Sequence, residues 1–496
     1  MNISFENAKN ASPTCVVDGR FLHSKYNPEN EAKTFVANID CNFNPSCIII
    51  TGIALPYCIP FLKEKFPKTP IYSIVYDQQF AKNTECEKCF LCTKSTSTEL
   101  LSEEIFSHSG EVILSAVLAL SWKPSESIFN EENSIAWKAI KSVIQKTRDI
   151  IATRAYFSQR WLKNSIKFCS FTKNIATITK QAKPILIVAS GASLKESLPH
   201  IAKYQNDFFI LAVSSAICTL TENSIIPDMC LSTDGGFYAK HHLEVLINLH
   251  KNGISIPLAI STESNVPSYI LENCPIIPLT YNDGLESTLL KLCKIPAILA
   301  ERNGTVSGNA SVLAMQLTDQ NIYTCGLDLA NGKGYSHTQP NAHEKIHSQK
   351  DFKVRSLETR ICPKPISSQE LSPMDIYRQW FETRNTSFSK RFFRISKQKY
   401  SRSLGLIEDL TWQEINVEKI TSECNNISFQ SVLENAERQN ILRNFFEDEK
   451  NYDKFAQEIA FAEWIATKKY PNSAEIKEKF ENTVFERIAN LKGLYL

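Results

Sequence analysis

The sequence predicts an α/β protein whose centre is a parallel sheet. Three observations predict it. Between residues 184 and 326, short β-branched and aliphatic runs recur, and each stops on small polar or acidic residues. A shorter stretch before it, residues 46–77, shows the same alternation of apolar strand and helical pattern. After residue 372 apolar residues recur at helical spacing instead. The chain has 496 residues, against roughly 100–200 for one ordinary domain, so the three stretches read as three blocks: 1–170, 171–347 and 348–496.

Composition narrows the class. Hydrophobic residues make up 43% and charged residues 22%, the balance of a globular chain rather than a disordered one. The formal net charge is +2, which gives no bulk attraction to nucleic acid or to an anionic membrane. The first residues are polar and show no secretory signal. The most apolar stretches are 46–62, interrupted by Gly52, Pro56 and Pro60, and 112–122, which is shorter than the ~20 residues a membrane span needs. No nucleic-acid partner and no membrane insertion are expected. Fifteen cysteines, an odd number with no export signal, fit reduced thiols and a cytoplasmic location.

In the first block, residues 46–51 read as a buried strand, Gly52 as a turn and the following residues to 66 as a helix. A second strand, 70–76, ends on Asp77. This has the form of a nucleotide-binding βαβ unit. However, Gly52-Ile53-Ala54-Leu55-Pro56 offers one glycine where a dinucleotide turn needs three. The block reads as a smaller, degenerate Rossmann-like domain without a competent site. Cys86, Cys89 and Cys92 form a C-x-x-C-x-x-C run in which a metal would need a fourth ligand, and only Cys58 is near in sequence. The same spacing suits an unliganded helix or loop edge, and no metal is assigned. Residues 133–167, with Trp137, Ile140, Val143 and Ile144 on one stripe, predict a long helix leading into the central block.

The central block opens with a strand from Pro184, a tight turn at Ser190-Gly191 and a helix start, the local geometry that receives a phosphate on backbone N–H groups. Strands over 208–213, 229–231 and 321–326 end on Ser214-Ser215, on Ser232-Thr233-Asp234 and before Asp328. Strand carboxyl ends share one edge of a parallel sheet, so Ser190, Ser214, Ser215, Asp234 and Asp328 are expected around one pocket. A second helix, 308–318, starts after Gly304-Thr305-Val306-Ser307. Its first turn, with Ser307 and Gly308, is expected to face the same anion as Gly191 and Ser193. The alternative is that Ser193 and Ser307 only cap their helices. Six of the nine histidines lie between His241 and His347. His337 follows the strand 321–329 after a short loop that also carries Tyr335, so both side chains can reach over the pocket. Histidine is the side chain suited to taking a proton near neutral pH. No H-E-x-x-H is present, and no Asp-x-Asp near the strand ends.

Residues 348–372, with Pro363 and Pro365, predict a linker or wrap-around loop. Beyond it, 373–383, 432–446, 451–468 and 473–491 predict helices, the last two separated by Pro471-Asn472. Such a helical domain could dock a protein surface or bury only its own face, and both readings stay open.

These features together resemble the Maf (motility accessory factor) flagellin glycosyltransferases. The opening motif is Gly19-Arg20-Phe21-Leu22-His23-Ser24-Lys25-Tyr26-Asn27-Pro28-Glu29-Asn30-Glu31-Ala32. Trp122-Lys123-Pro124-Ser125-Glu126 and Arg160-Trp161-Leu162-Lys163-Asn164 follow in order. The central landmarks are Gly191-Ala192-Ser193-Leu194, Ile226-Pro227-Asp228, Gly326-Leu327-Asp328-Leu329 and Ser336-His337. The central block is also similar to bacterial sialyltransferases that use CMP-activated sugars, through Ser307-Gly308 and Gly326-Leu327-Asp328. Ala189, Ala192 and Ser190 depart from the usual residues of the first turn. The resemblance implies a GT-A-like or Rossmann-like central domain and a CMP-nonulosonic acid donor such as pseudaminic or legionaminic acid. It implies serine or threonine of flagellin as acceptor, in the cytoplasm, and no resident cofactor. Ser190, Gly191, Ser193, Ser214, Ser215, Asp234, Ser307, Gly308 and Asp328 would bind the donor. His337 would be the base, with Tyr335 near the phosphate. A pterin diphosphokinase and a non-catalytic flagellin chaperone remain as alternatives.

Overall fold

Cys47–Thr51 (β1) is a run of five residues, all buried, as a strand covered on both faces must be. It lies in a four-stranded parallel sheet with Ile71–Val75 (β2), Lys88–Leu91 (β3) and Val117–Ser121 (β4), in the order β3-β2-β1-β4. The structure is a computed structural model. It describes all residues except 83–85, 330–336, 355, 357–372, 397–401, 416–426 and 492–496. The topological switch of the small sheet falls between β1 and β4, where a doubly wound fold would hold a ligand. Here the chain fills that place itself. A Cβ at Gly52 (φ +78°) would lie 1.9 Å from Ser125 Oγ. Trp122 Nε1 donates to the Leu22 carbonyl (2.7 Å), and His23 Nε2 accepts from Leu55 N–H (3.0 Å). Burial pushes His23 down to about 4, which suits a neutral acceptor. Cys89 lies in β3 and Cys92 just beyond it, and three positions along a strand point to opposite faces. Among the described residues no group of three or more His, Cys, Asp or Glu is arranged to hold a metal ion.

Asn130–Phe171 (α1) is a single helix of 42 residues. The chain divides within it into two compact units, 1–158 with 459–488, and 159–458 with 489–496. The second unit is built on a nine-stranded, wholly parallel sheet. Its elements in chain order are Ile185–Val188 (β5), Leu194–Tyr204 (α2), Phe209–Val213 (β6), Met229–Ser232 (β7), Ala239–Lys251 (α3), Leu258–Ser261 (β8), Ile276–Thr280 (β9), Ile298–Leu299 (β10), Val306–Leu317 (α4), Ile322–Cys325 (β11), Phe392–Ile395 (β12) and Glu408–Leu410 (β13). The strand order is β10-β9-β8-β7-β6-β5-β11-β12-β13. Five strands step outward from β5 on one side, and β11 then returns to its other side. The switch point is therefore between β5 and β11. Helix α4 packs across β5, β6 and β7, so its N-terminus comes to the carboxyl edge of those strands.

The expected strands at 46–51, 70–76, 208–213, 229–231 and 321–326 are present, and β8 and β9 add to them. The long helix and the C-terminal helices are also present: Pro373–Glu382, Asn435–Glu447, Tyr452–Ile459, Phe461–Lys469 and Ala474–Ala489. The last stretch of the chain does not stand apart as the sequence pattern implied. β12 and β13 extend the large sheet, while residues 459–488 cluster with the first unit. Most of the expected linker, 348–372, lies outside the described residues. No helix among the described residues is long and apolar enough to cross a membrane.

Candidate functional site

The turn after β5 is held against the turn after β11. Ala189 N–H donates to the Cys325 carbonyl (2.9 Å), and Gly191 N–H to the Gly326 carbonyl (2.8 Å). Both glycines are required by this approach. A Cβ at Gly191 would sit 2.4 Å from the Gly326 oxygen and 2.6 Å from Asp328 Oδ2, and one at Gly326 (φ +69°) 2.2 Å from the Ala189 oxygen. The N-terminus of α2 is where the sequence pattern expects a phosphate. In the structure it meets a carboxylate of the chain itself. Ser193 N–H donates to Asp328 Oδ2 (2.9 Å), and the Ser193 hydroxyl makes a short bond to Oδ1. Asp328 therefore supplies the negative charge that a helix N-terminus favours. Ser193 does not cap its helix, since its hydroxyl points to Asp328.

His337 is tied to the same turn through its neighbour Thr338. Thr338 N–H donates to the Ser190 carbonyl (2.7 Å), and the Thr338 hydroxyl bonds the Gly191 carbonyl. Ser190 Oγ lies 2.7 Å from Ser215 Oγ, linking the ends of β5 and β6. Ser214, beside Ser215, is buried. His337 stands 6.2 Å, ring centre to ring centre, from His242 on α3, and His242 stands 4.0 Å from His343. Burial, reinforced by His343 and His337, drives His242 down to about 3, so it is a neutral imidazole. Tyr335 and Ser336 lie outside the described residues.

A second cluster sits at the end of β7 and the start of α4. Thr305, not Ser307, caps α4: its hydroxyl accepts from Ser307 N–H (3.3 Å). Thr305 N–H in turn donates to Asn303 Oδ1 (3.2 Å). The Asn303 amide lies against the first turn, and a Cβ at Gly308 would be 2.7 Å from it, which explains the glycine. Asn309 Nδ2 reaches Asn303 Oδ1 (3.3 Å) and Thr233 Oγ1 (3.4 Å), tying α4 to β7. The next residue, Asp234, is exposed, and its Oδ1 accepts from Gly236 N–H (2.7 Å). The first-turn N–H groups of α4 have no intrahelical partner, and no carboxylate of the described chain accepts from them as Asp328 does at α2.

Beyond Asp234 an ion-pair network braces the ends of β8 and β9. Arg302 bonds Glu263 (2.8 and 2.9 Å) and Asp283 (2.6 and 2.9 Å), with its guanidinium 4.2 Å from the Tyr281 ring centre and 5.0 Å from that of Trp161. Both carboxylates hold Arg302 in its charged form against the cost of burial. Burial raises Glu263 although Arg302 opposes the rise, and pushes Tyr281 up to about 12. Arg302 is thus engaged by the chain's own acids. Nearby, Glu286 accepts from Thr280 Oγ1 and from the N–H groups of Tyr281 and Asn282, and burial lifts it to about 7.

This architecture has a known counterpart. The solved structure of a Maf glycosyltransferase from Magnetospirillum magneticum AMB-1 matches with a TM-score of 0.52 at 11% identity, over 99% of this chain and 91% of that one. The chain shares the fold of a Maf glycosyltransferase. The Maf resemblance read from the sequence motifs holds at the level of fold. Residues 159–334 also match the profile of the MptE-like family, described as 6-hydroxymethylpterin diphosphokinase MptE-like. An uncharacterized protein of Treponema pallidum (strain Nichols) is 26% identical over 394 residues, 78% of this chain and 83% of its own length. In this Maf fold, Ser190, Gly191, Ser193, Ser215, Asp328 and His337 gather at the switch point. Asp234, Ser307 and Gly308 gather two strands away on the same edge. Sequence reading missed Asn303, Thr305 and Asn309. The signal was available in Asn303-Gly304-Thr305, an Asx turn feeding a threonine cap.

Proposed function

We propose that the protein is a glycosyltransferase that moves a nonulosonic acid from a CMP donor onto a serine or threonine hydroxyl of flagellin, in the cytoplasm. The observation that carries this reading is the pairing, on one sheet edge of a Maf-like fold, of a helix start that meets no carboxylate among the described residues and a histidine held through Thr338 to the turn after β5. In this reading the donor phosphate lies at the start of α4, near Ser307 and Gly308, and not at α2, where Asp328 already accepts from Ser193. Asp234 and Ser215 line the donor side. The acceptor oxygen attacks the anomeric carbon, its proton passes to His337, and the bond from that carbon to the phosphate oxygen breaks, releasing CMP. Charge growing on the phosphate is met by backbone dipoles already in place. The donor is a substrate, and the mechanism invokes no resident cofactor.

The match of residues 159–334 to the MptE-like profile favours a second reading, pterin diphosphokinase chemistry on the same central sheet. One turnover experiment tests both. Purified protein is incubated with CMP-pseudaminic or CMP-legionaminic acid and flagellin, or with ATP and 6-hydroxymethylpterin. CMP release with mass added to flagellin is expected. AMP release with pterin, and none of CMP, would overturn the glycosyltransferase reading.

A further inference from the structure

The helix Pro373–Glu382 docks on the segment that leads into α4. Trp380 Nε1 donates to Glu301 Oε1 (2.8 Å), and Arg384 Nη1 lies 3.6 Å from the same oxygen. Glu301 N–H in turn donates to Asn309 Oδ1 within α4 (3.3 Å). Three residues before Trp380, the ring of Tyr377 lies on Gly304. A Cβ there would stand 3.1 Å from Tyr377 Cε1, and the φ of +75° also favours glycine. Tyr377 is half-buried, and its hydroxyl has no hydrogen-bond partner among the described residues. Burial, and then the Asp234 carboxylate, raise its phenol above the ordinary value, so it stays protonated and able to donate.

A second donor stands at the same place. Asn303 is 8% exposed. Its Oδ1 accepts from Thr305 N–H and from Asn309 Nδ2, which fixes the orientation of the amide. Its Nδ2 is buried without a partner, although the amide lies against the first turn of α4 at Gly308. A buried donor that bonds nothing is a cost that folds seldom keep. At the start of α2 the equivalent demand for negative charge is met by Asp328, whereas no described carboxylate meets it at α4.

We propose that Asn303 Nδ2 and the Tyr377 hydroxyl are side-chain donors to a nucleotide phosphate held at the start of α4. The proposal rests on the donor reading above. It adds two residues to that site, and Tyr377 comes from chain beyond the region 159–334 that matches the MptE-like profile. The chemistry follows from the groups present. Both side chains offer N–H or O–H donors, and the helix start favours negative charge. A phosphate brings several acceptor oxygens, enough for both donors and the backbone together. Asp234, the acid near Tyr377, already accepts from Gly236 N–H, and keeps the phenol in its donating form.

The test is calorimetric titration of wild type, Tyr377→Phe and Asn303→Asp with CMP, with ³¹P spectra of the bound nucleotide. Tyr377→Phe keeps the ring on Gly304 and removes only the hydroxyl, so CMP affinity should fall about tenfold, the scale of one hydrogen bond to a charged group. The ³¹P resonance of bound CMP should move in the same variant, which a merely structural role would not cause. Asn303→Asp keeps the acceptor for Thr305 N–H and puts a carboxylate where the phosphate would sit. It should lose at least tenfold in CMP affinity and still melt close to wild type. Unchanged CMP affinity in both variants overturns the proposal, as does an unmoved ³¹P resonance in Tyr377→Phe. Intact CMP affinity with weakened binding of CMP-pseudaminic acid also overturns it, because the donors would then serve the carboxylate of the sugar. Wild type that binds no CMP would bring down the donor reading instead. The same variants are then titrated with ATP, where unchanged affinity, or no binding by wild type, overturns the proposal as well.

Discussion

Asp328→Asn is the sharpest test of what occupies the start of α2. The substitution keeps the side chain's shape and removes its charge. In the native protein the carboxylate accepts from Ser193 N–H and from the Ser193 hydroxyl. Bonds to a charged group contribute about 1.5–3 kcal/mol against about 1 for neutral ones. A negative charge at a helix N-terminus adds roughly 0.3–1 kcal/mol. The amide can keep one acceptor for Ser193 N–H, so the net loss is about 2–3 kcal/mol. For a unit of this size that corresponds to a drop in Tm of about 3–5 °C. Calorimetric melting with and without CMP reads it directly, and titration with CMP should give an affinity within about twofold of wild type. An unchanged Tm would refute the role given to Asp328. A tenfold change in CMP affinity at constant Tm would return the donor phosphate to α2.

Gly191→Ala should lower Tm by the cost of overpacking, about 1–3 kcal/mol, because its Cβ meets a backbone oxygen at 2.4 Å; a wild-type melt would refute the close approach. The turn pattern alone predicts that Gly191→Val loses nucleotide and keeps its fold, whereas the geometry predicts that the fold suffers first. His337→Ala should slow glycosylation by ~10²–10⁴ and leave CMP affinity within a few fold; an unaffected rate shifts the role of base to Asp234. Glu286, raised by burial from 4.5 to about 7, favours the folded state below pH 4.5 and loses that contribution, roughly 3 kcal/mol in full, as pH rises through 7. Glu286→Gln should therefore melt close to wild type at pH 5 and higher than wild type at pH 8; equal melting at both pH values refutes the shift.

Strands buried on both faces were legible because they are unbroken apolar runs: Ile185–Val188, Phe209–Val213 and Met229–Ser232 carry no charge. Their terminal residues were legible for the same reason, since a polar residue ends such a run at the sheet edge. The partnership of Ser193 with Asp328 was not legible. The two are 135 positions apart, and a Ser-Gly turn before a helix looks alike whether it holds a ligand or a carboxylate of its own chain. Gly308 was read as close approach to a ligand, whereas the atoms that would meet a Cβ there belong to Asn303. A glycine reports crowding and does not say by what.

β12 and β13 escaped the sequence reading because each is only three or four residues long and carries charge. Phe392–Ile395 contains Arg394, and Glu408–Leu410 contains Asp409. The charges are what join the strands. Arg394, 1% exposed, donates to both Asp409 oxygens (2.6 and 2.7 Å) and to the Arg402 carbonyl (2.7 Å). Removing one partner of such a pair would bury an uncompensated charge, at about 3–5 kcal/mol. Just past β13, Trp412 stacks on His200 at 5.2 Å and donates to Ser197 Oγ (3.2 Å), so the late chain also clamps α2, the helix whose start holds Ser193. The last stretch therefore closes the β11 edge of the sheet and braces α2, the helix that follows the turn to which Thr338 is bonded. The residues after 383 are therefore not a separable module: a cut there would uncover β11 and release α2 together.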